Sequence, residues 1–304
     1  MIDPAARKPP LSVWIAAMLV AVALLLMLGN IDRMSWLSES VGRTTRFNLQ
    51  RLQAVPPGVL HVVALGTSKT MYAMDFDDAF AARIALPGRR VVFHRLTASS
   101  PEFNDMQPAL EALVRHPPDV LLVEAELLLI DRNDRATVVG LLNRARQNLL
   151  MMRAQLPGEF INRGVNNNHG REDWPLDARC LSGKTQEAMR AYADYAARWQ
   201  LASDDERTAY LVYLRRIQAT GTRVVLLRLP RSPSGEKVAP AGLMQQSAQL
   251  RARLLKEEGF TGWEPDVMAE SLYCDQIHVN RRGRDYYSAW LAKQLLALLG
   301  QLDV

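Results

Sequence analysis

Apolar runs alternate with amphipathic stretches along most of this chain. The apolar runs predict strands at 60–65, 90–95, 119–124 and 223–229. The first, third and fourth runs are rich in Val and Leu without polar alternation, which is typical of strands covered on both faces. Apolar residues at helical spacing predict helices at 77–84, 106–115, 136–152, 204–219 and 281–299. The order of strands and helices therefore predicts an α/β fold, a three-layer α/β/α sandwich with a mainly parallel sheet.

A different pattern occupies the N-terminus, where residues 11–29 are apolar and uncharged. This length suits a helix that crosses a bilayer better than the shorter apolar core of a signal peptide. We therefore expect a cytoplasmic N-terminus at 1–10, a transmembrane anchor at 11–30, a stalk at 31–58 and one domain at 59–304. The domain carries an inserted segment at about 133–203, longer than a simple crossover requires.

Charge near the apolar run predicts its orientation. Arg7 and Lys8 precede it, which favours a cytoplasmic N-terminus, although Arg33, Arg43 and Arg46 on the far side weaken the bias. The chain is thus expected to be a single-pass protein of the inner (cytoplasmic) membrane, with its domain facing the periplasm or the cell exterior.

The composition narrows the choice of partners. The 304 residues carry a formal net charge of +5, mostly from arginine. This balance suits anionic lipid headgroups or an acidic glycan, or it reflects genomic composition. No basic run with interleaved aromatic residues is present, so we expect no nucleic-acid partner. The five histidines have no metal-ligand spacing, so neither a metal nor another cofactor is expected.

Two short motifs carry candidate chemistry. Gly66-Thr-Ser68 directly follows the first predicted strand, and Asp275-Gln-Ile-His278 precedes the terminal helix. A serine hydroxyl can attack an acyl carbon if an imidazole takes its proton and a carboxylate orients that imidazole. We predict Ser68 as nucleophile, His278 as base and Asp275 as its orienting partner. The alternative is that Ser68 and Asp275 merely cap helices.

Together these motifs resemble the SGNH (GDSL-like) hydrolase superfamily, through Gly66, Ser68, Asp275, His278, Asn280 and Gly283. The resemblance implies the α/β/α fold and a serine nucleophile. Two blocks that complete the family's oxyanion hole, a glycine and the asparagine of G-x-N-D, are missing from 96–100 and 120–126. We therefore expect backbone N–H groups of Ser68, Ala98, Ser99 and Ser100 to serve instead.

An anchored, divergent member of that superfamily looks like the alginate O-acetylation proteins and the D-alanylation accessory protein of teichoic acid synthesis. This likeness implies an envelope O-acyltransferase that passes an acyl group through Ser68 to an extracellular polysaccharide. Its partner would be a membrane-bound O-acyltransferase-type integral protein. The alternatives are an envelope esterase or deacetylase, and a scaffold that kept the fold without the chemistry.

The inserted segment and the cysteines add further expectations. Asn166, His169, Arg171 and Trp174 suit a sugar-binding rim over the catalytic edge, or else a solvated surface loop. Cys180 and Cys274 are the only cysteines. An oxidising compartment permits a disulfide between them, and two buried thiols are the alternative. Lys69, on the helix after Ser68, is expected to point away from the serine.

Overall fold

A computed structural model of the chain describes residues 10–29, 49, 51–97, 103–131, 142 and 185–300. By their internal contacts, the residues form two compact units, Met1–Thr44 with Asp134–Gly164 and Thr45–Asn133 with Val165–Val304. The first unit contains helix α1, and the second contains every other element described below. The boundaries predicted at 10, 30 and 58 remain predictions.

Helix α1 (Leu11–Gly29) stands where the apolar run predicted a helix, and it carries no charged residue in its first or last turn. Most of its side chains are exposed. Judged by length and apolar character together, no helix in the described part of the chain qualifies to cross a membrane. The helix is thus confirmed, and its role as an anchor stays a prediction.

The second unit alternates strands and helices. Its elements in chain order are β1 (Leu60–Gly66), α2 (Ser68–Ala73), α3 (Asp77–Arg83), β2 (Val91–Thr97), α4 (Phe103–Arg115), β3 (Val120–Glu124), α5 (Glu126–Leu129), β4 (Ile130–Asp131), α6 (Gln186–Ala196), β5 (Gln200–Leu201), α7 (Asp204–Gln218), β6 (Arg223–Leu227), α8 (Pro233–Val238), α9 (Ala241–Glu258), β7 (Thr261–Trp263), a 3₁₀ turn (Glu270–Leu272) and α10 (Arg281–Leu299).

Five strands form one sheet in the order β2-β1-β3-β6-β7, and all four neighbouring pairs are parallel. Val62 of β1, for example, pairs with Phe93 of β2 on one side and Val120 of β3 on the other. The chain runs from β1 outward to β2 and then returns to the far side of β1 as β3. The strand order therefore reverses between β1 and β3, the place where open α/β sheets bind ligands beyond the carboxyl ends of their strands.

Both faces of the sheet are covered, which explains the unbroken apolar runs of β1 and β3. Val63 and Leu65 point into a core shared with helices α4, α7 and α9. Val62 and Ala64 point into a second core with α3 and α10. The predicted α/β/α sandwich is thus present, with the sheet between two layers of helices.

Some elements differ from the predictions. Strand β6 ends at Leu227 rather than at 229, because the chain leaves the sheet for a loop, and β2 runs over 91–97 rather than 90–95. Helix α9 and strand β7 were not predicted, whereas α2 is the helix expected after Ser68. The helix predicted at 136–152 lies outside the described residues, apart from the single helical residue Leu142.

Candidate active site

Ser68 lies at the carboxyl end of β1, on the edge of the sheet where the strand order reverses. It is the first residue of α2, and Thr67 is the N-cap, with its hydroxyl accepting the N–H of Lys69 at 3.1 Å. The interpretation of Ser68 as a helix cap is therefore wrong. Because Thr67 satisfies the helix end, the Ser68 hydroxyl is available for another partner.

That partner is His278. Its Nε2 lies 3.0 Å from Oγ of Ser68, although 210 positions separate the two residues in the sequence. On the other side of the ring, Nδ1 of His278 lies 2.8 Å from Oδ2 of Asp275. The structure thus brings the three predicted residues into one continuous hydrogen-bonded series, with the ring between hydroxyl and carboxylate.

A tight loop holds Asp275 and His278 in this arrangement. Tyr273 and Val279 form an antiparallel bridge, and the N–H of Cys274 donates to the carbonyl of His278 at 2.8 Å. The N-cap of α10 is Asn280, whose side chain accepts the N–H of Gly283 at 3.0 Å. The interpretation of Asp275 as the cap of the terminal helix is therefore wrong.

The carboxylate of Asp275 is stabilised in its charged form. Burial favours the neutral acid, but the hydrogen bond and charge of His278 and two backbone donors outweigh burial and lower the pKa of Asp275. These donors are the N–H groups of Ile277 and His278, 2.8 and 2.7 Å from Oδ1. One oxygen of Asp275 thus fixes the loop while the other holds the imidazole.

Tyr72 supports the opposite side of the imidazole. Its ring meets that of His278 edge to face, with 4.8 Å between the centroids. The carbonyl of Tyr72 in turn accepts Nε of Arg284 at 3.1 Å, so α10 fixes the segment that carries the tyrosine. We did not identify Tyr72 from the sequence, since nothing there distinguishes it from an ordinary core aromatic.

Glu124 is the second residue that the sequence analysis missed. This fully buried side chain ends β3 and accepts three hydrogen bonds from the segment around Ser68. The donors are the N–H of Thr67 at 2.7 Å, the hydroxyl of Thr67 at 2.9 Å and that of Thr70 at 2.7 Å. A charged residue ending an apolar run is rarely buried without partners, and this was the available signal.

Glu126 follows β3 within 120–126, the stretch that lacks the asparagine expected from the resemblance. Its Oε1 lies 2.9 Å from Nζ of Lys69 and 2.6 Å from Nη2 of Arg231. An ionised carboxylate only accepts hydrogen bonds, so Glu126 does not replace the missing donor. Lys69 is paired with this carboxylate rather than with the serine.

Other predicted residues lie outside the described part of the chain. They are the oxyanion candidates Ala98, Ser99 and Ser100, the rim candidates Asn166, His169, Arg171 and Trp174, and Cys180. Cys274 is disulfide-bonded, and Cys180 is the only other cysteine in the sequence. Within the described residues, no group of three or more His, Cys, Asp or Glu side chains is placed to hold a metal ion.

Comparison with known proteins finds similarity in backbone only. The chain matches no family profile and no curated protein. A GDSL-like lipase from Bacteroides thetaiotaomicron is 14% identical, with 85% of this chain and 98% of that chain covered and a TM-score of 0.42. An aryl esterase from M. smegmatis is 12% identical, with 78% and 99% covered and a TM-score of 0.39. A carbohydrate acetylesterase from Sinorhizobium meliloti is 12% identical, with 78% and 99% covered and a TM-score of 0.38. Because these identities and TM-scores are low, the chemistry of the site is inferred from the geometry of its own side chains.

Proposed function

We propose that this protein is a serine-dependent enzyme that acts on acyl esters through an acyl-enzyme at Ser68. The observation that carries the proposal is the series of contacts from Ser68 Oγ through His278 to Asp275, at 3.0 and 2.8 Å. A nucleophile, a base within hydrogen-bond reach and a third group that orients the base are the parts that such chemistry needs.

The first half of the reaction forms the acyl-enzyme. Oγ of Ser68 attacks the acyl carbon of an ester while Nε2 of His278 takes the hydroxyl proton. The tetrahedral intermediate then collapses, the bond to the leaving oxygen breaks, and His278 returns its proton to that oxygen. Asp275 accepts the Nδ1–H of His278, which keeps Nε2 free to receive a proton and stabilises the imidazolium that forms.

The second half transfers the acyl group to an acceptor hydroxyl. His278 now removes a proton from water or from an alcohol, whose oxygen attacks the acyl carbon. The bond from that carbon to Oγ of Ser68 then breaks, and His278 returns the proton to Oγ. The oxyanion of both intermediates needs N–H donors. We assign that task to the backbone N–H groups of Ser68, Ala98, Ser99 and Ser100, because the glycine and the asparagine that the resemblance implies are missing.

We further propose transfer to an extracellular polysaccharide, beside a membrane-bound O-acyltransferase-type partner at the cytoplasmic membrane. Two features support this finer assignment: the apolar helix α1 near the N-terminus, and the absence of an asparagine donor for the oxyanion from 120–126. Losing one such donor costs about 3–4 kcal/mol of transition-state stabilisation, which disfavours fast unaided hydrolysis. Hydrolysis of an acylated envelope glycan is the second candidate.

Labelling with a fluorophosphonate tests the nucleophile. Such a probe phosphonylates an activated serine, so we expect one adduct on the full chain, mapped by peptide mass spectrometry to Ser68. His278→Gln should react at least about a hundredfold more slowly, because general-base assistance is lost. Labelling of folded protein at another residue, or none at all, would favour a scaffold without chemistry.

Partitioning of the acyl group separates transfer from hydrolysis. The full chain is given p-nitrophenyl acetate with increasing concentrations of a neutral oligosaccharide, and acetylated sugar and acetate are both quantified. If the enzyme transfers the acetyl group, acetylated sugar should replace acetate as the concentration of the oligosaccharide rises. An esterase predicts acetate alone at every acceptor concentration.

A further inference from the structure

A cluster of buried hydrogen-bond donors surrounds Glu126. None of these donors takes part in the hydrogen bonds that join Ser68, His278 and Asp275. Three strand ends contribute to it: Lys69 comes after β1, Glu126 after β3, and Arg231 from the loop after β6. All three lie at the carboxyl edge of the sheet, and β1 and β3 flank the point where the strand order reverses. We call Lys69, Glu126, Tyr192, Trp199 and Arg231 the donor cluster.

Glu126 is the acceptor that the cluster itself supplies. Its Oε1 receives both Lys69 and Arg231, at 2.9 and 2.6 Å, and the side chains of both cations are only 2% exposed. Glu236 reaches Arg231 at 3.6 Å, but it is 31% exposed and is shared with Arg228. The two buried cationic side chains, Lys69 and Arg231, therefore share the carboxylate of Glu126 as their main acceptor.

The carboxylate of Glu124 also acts on Lys69 electrostatically, but its oxygens already accept three bonds from Thr67 and Thr70. Burial lowers the pKa of Lys69, and the attraction of Glu126 only partly offsets this effect. Nζ of Lys69 is thus buried beside Glu126, and it makes no hydrogen bond of acceptable geometry within the described residues.

Two aromatic side chains add further donors without adding a strong acceptor. The Trp199 ring lies under the guanidinium of Arg231, 4.7 Å from Cζ to centroid, and Tyr192 meets the Trp199 ring edge to face at 5.8 Å. Tyr192 is 7% and Trp199 8% exposed. The cluster is therefore buried and rich in N–H and O–H groups.

Several of these donors have no acceptor. Nε of Arg231, Nε1 of Trp199 and the hydroxyl of Tyr192 are buried without a hydrogen bond of acceptable geometry in the described structure. The Tyr192 hydroxyl lies near the Arg231 guanidinium, and even when it accepts from Arg231 it still has its own proton to donate. Leaving buried donors unpaired is costly, so folded proteins seldom do so without a ligand or water.

We propose that the donor cluster binds one compact oxyanion, a carboxylate, phosphate or sulfate group, carried by the acyl substrate. Such a group only accepts hydrogen bonds, and so it complements a site of surplus donors better than water, which brings donors of its own. Lys69 follows Ser68 in the sequence, so the cluster and the nucleophile are both carried at the carboxyl end of β1. That the cluster binds an anion does not depend on the proposed function. That the anion is part of the acyl substrate does rest on the proposed function.

Thermal unfolding of the full chain tests the binding. Acetate, phosphate and sulfate are titrated at constant ionic strength against chloride, with wild type beside Ser68→Ala. At least one oxyanion should raise the melting temperature above the chloride value in both proteins. Stabilisation no greater than that of chloride for all three would overturn the proposal, whatever the activity of the enzyme.

Two conservative variants assign the binding to the cluster. Tyr192→Phe and Trp199→Phe remove one donor each while keeping an aromatic ring, so both should fold. Combined, they should weaken oxyanion binding by about tenfold, in line with lost hydrogen bonds to a charged group. Arg228→Gln, in the same loop but 38% exposed, should leave the affinity unchanged. Equal affinity in the double variant and wild type would contradict the assignment.

A pair of esters locates the anion. p-Nitrophenyl acetate is neutral, and the p-nitrophenyl monoester of succinic acid carries a carboxylate on its acyl group. If the anion is part of the substrate, the variant with both Tyr192→Phe and Trp199→Phe should have a KM about tenfold higher for the succinyl ester alone. Its kcat should be unchanged. Equal effects on both esters would show that the anion is a separate ligand. Turnover of neither ester would reject the proposed function while leaving the binding result intact.

Discussion

The carboxylate of Glu124 accepts the backbone N–H of Thr67 at 2.7 Å, joining the end of β3 to the residue before Ser68. The hydroxyl of Thr67 donates to the same carboxylate at 2.9 Å. Thr67 also caps α2, so one residue links the buried acid to the helix that begins with Ser68. The position of the nucleophile therefore depends on a buried carboxyl group at the end of β3.

Glu124→Gln should destabilise the protein and slow acylation. The amide keeps one acceptor oxygen but turns a donor toward the threonines, so we expect a loss of about 1–3 kcal/mol in the free energy of unfolding. Acylation should slow about tenfold as Ser68 loses its fixed position. Urea unfolding and a chromogenic ester assay measure the two effects. Glu257→Gln, an exposed acid on α9, is the control, and equal behaviour of the two variants would contradict this role of Glu124.

The sequence predicted the strands that carry the site better than the contacts that hold it. Unbroken apolar runs marked β1 and β3 because both faces of these strands are covered, and the spacing of Asp275 and His278 placed both on one loop. Glu124 and Tyr72 were missed because their roles depend on partners from distant segments. Strand β7, Thr261–Trp263, was missed because three residues show no periodicity.

Asp275→Asn should leave the fold intact and slow the chemistry by about 10³–10⁴-fold. The asparagine oxygen can still accept the N–H groups of Ile277 and His278, which preserves the loop. Its amide nitrogen, however, presents a donor to Nδ1 of His278, and this forces the ring proton onto Nε2. Single-turnover acylation and a melting curve separate the two effects. A rate within tenfold of wild type would contradict the orienting role of Asp275.

Tyr72→Ala should lower kcat while changing KM little. Without the ring, His278 loses its edge-to-face contact and samples orientations away from Ser68, so we expect kcat to fall about tenfold. Tyr72→Phe keeps the ring and is the matched control. If both variants lose the same activity, the ring contact is not what positions the imidazole.

Acid should destabilise the protein through His61 and His94, whose rings lie 3.1 Å apart between Nε2 and Nδ1. Burial lowers the pKa of His61 to about 4 and that of His94 to about 3. Unfolded histidine has a pKa near 6.5, so between pH 6.5 and about 4 the unfolded chain takes up protons that folded His61 refuses. The free energy of unfolding should fall by about 3 kcal/mol through His61 alone across this window.

Urea unfolding between pH 7 and 4 measures this dependence. His61→Gln should flatten it, because that position no longer titrates, whereas His116→Gln should keep the wild-type slope. An unchanged slope in His61→Gln would show that the acid sensitivity arises elsewhere.

The most direct test of the account is the intact mass of the full chain after brief exposure to p-nitrophenyl acetate, with Ser68→Ala treated in parallel. We expect wild type to gain the mass of one acetyl group and Ser68→Ala to gain none, with similar melting curves for both. An equal gain in Ser68→Ala, or no gain in folded wild type, would contradict the assignment of Ser68 as the nucleophile.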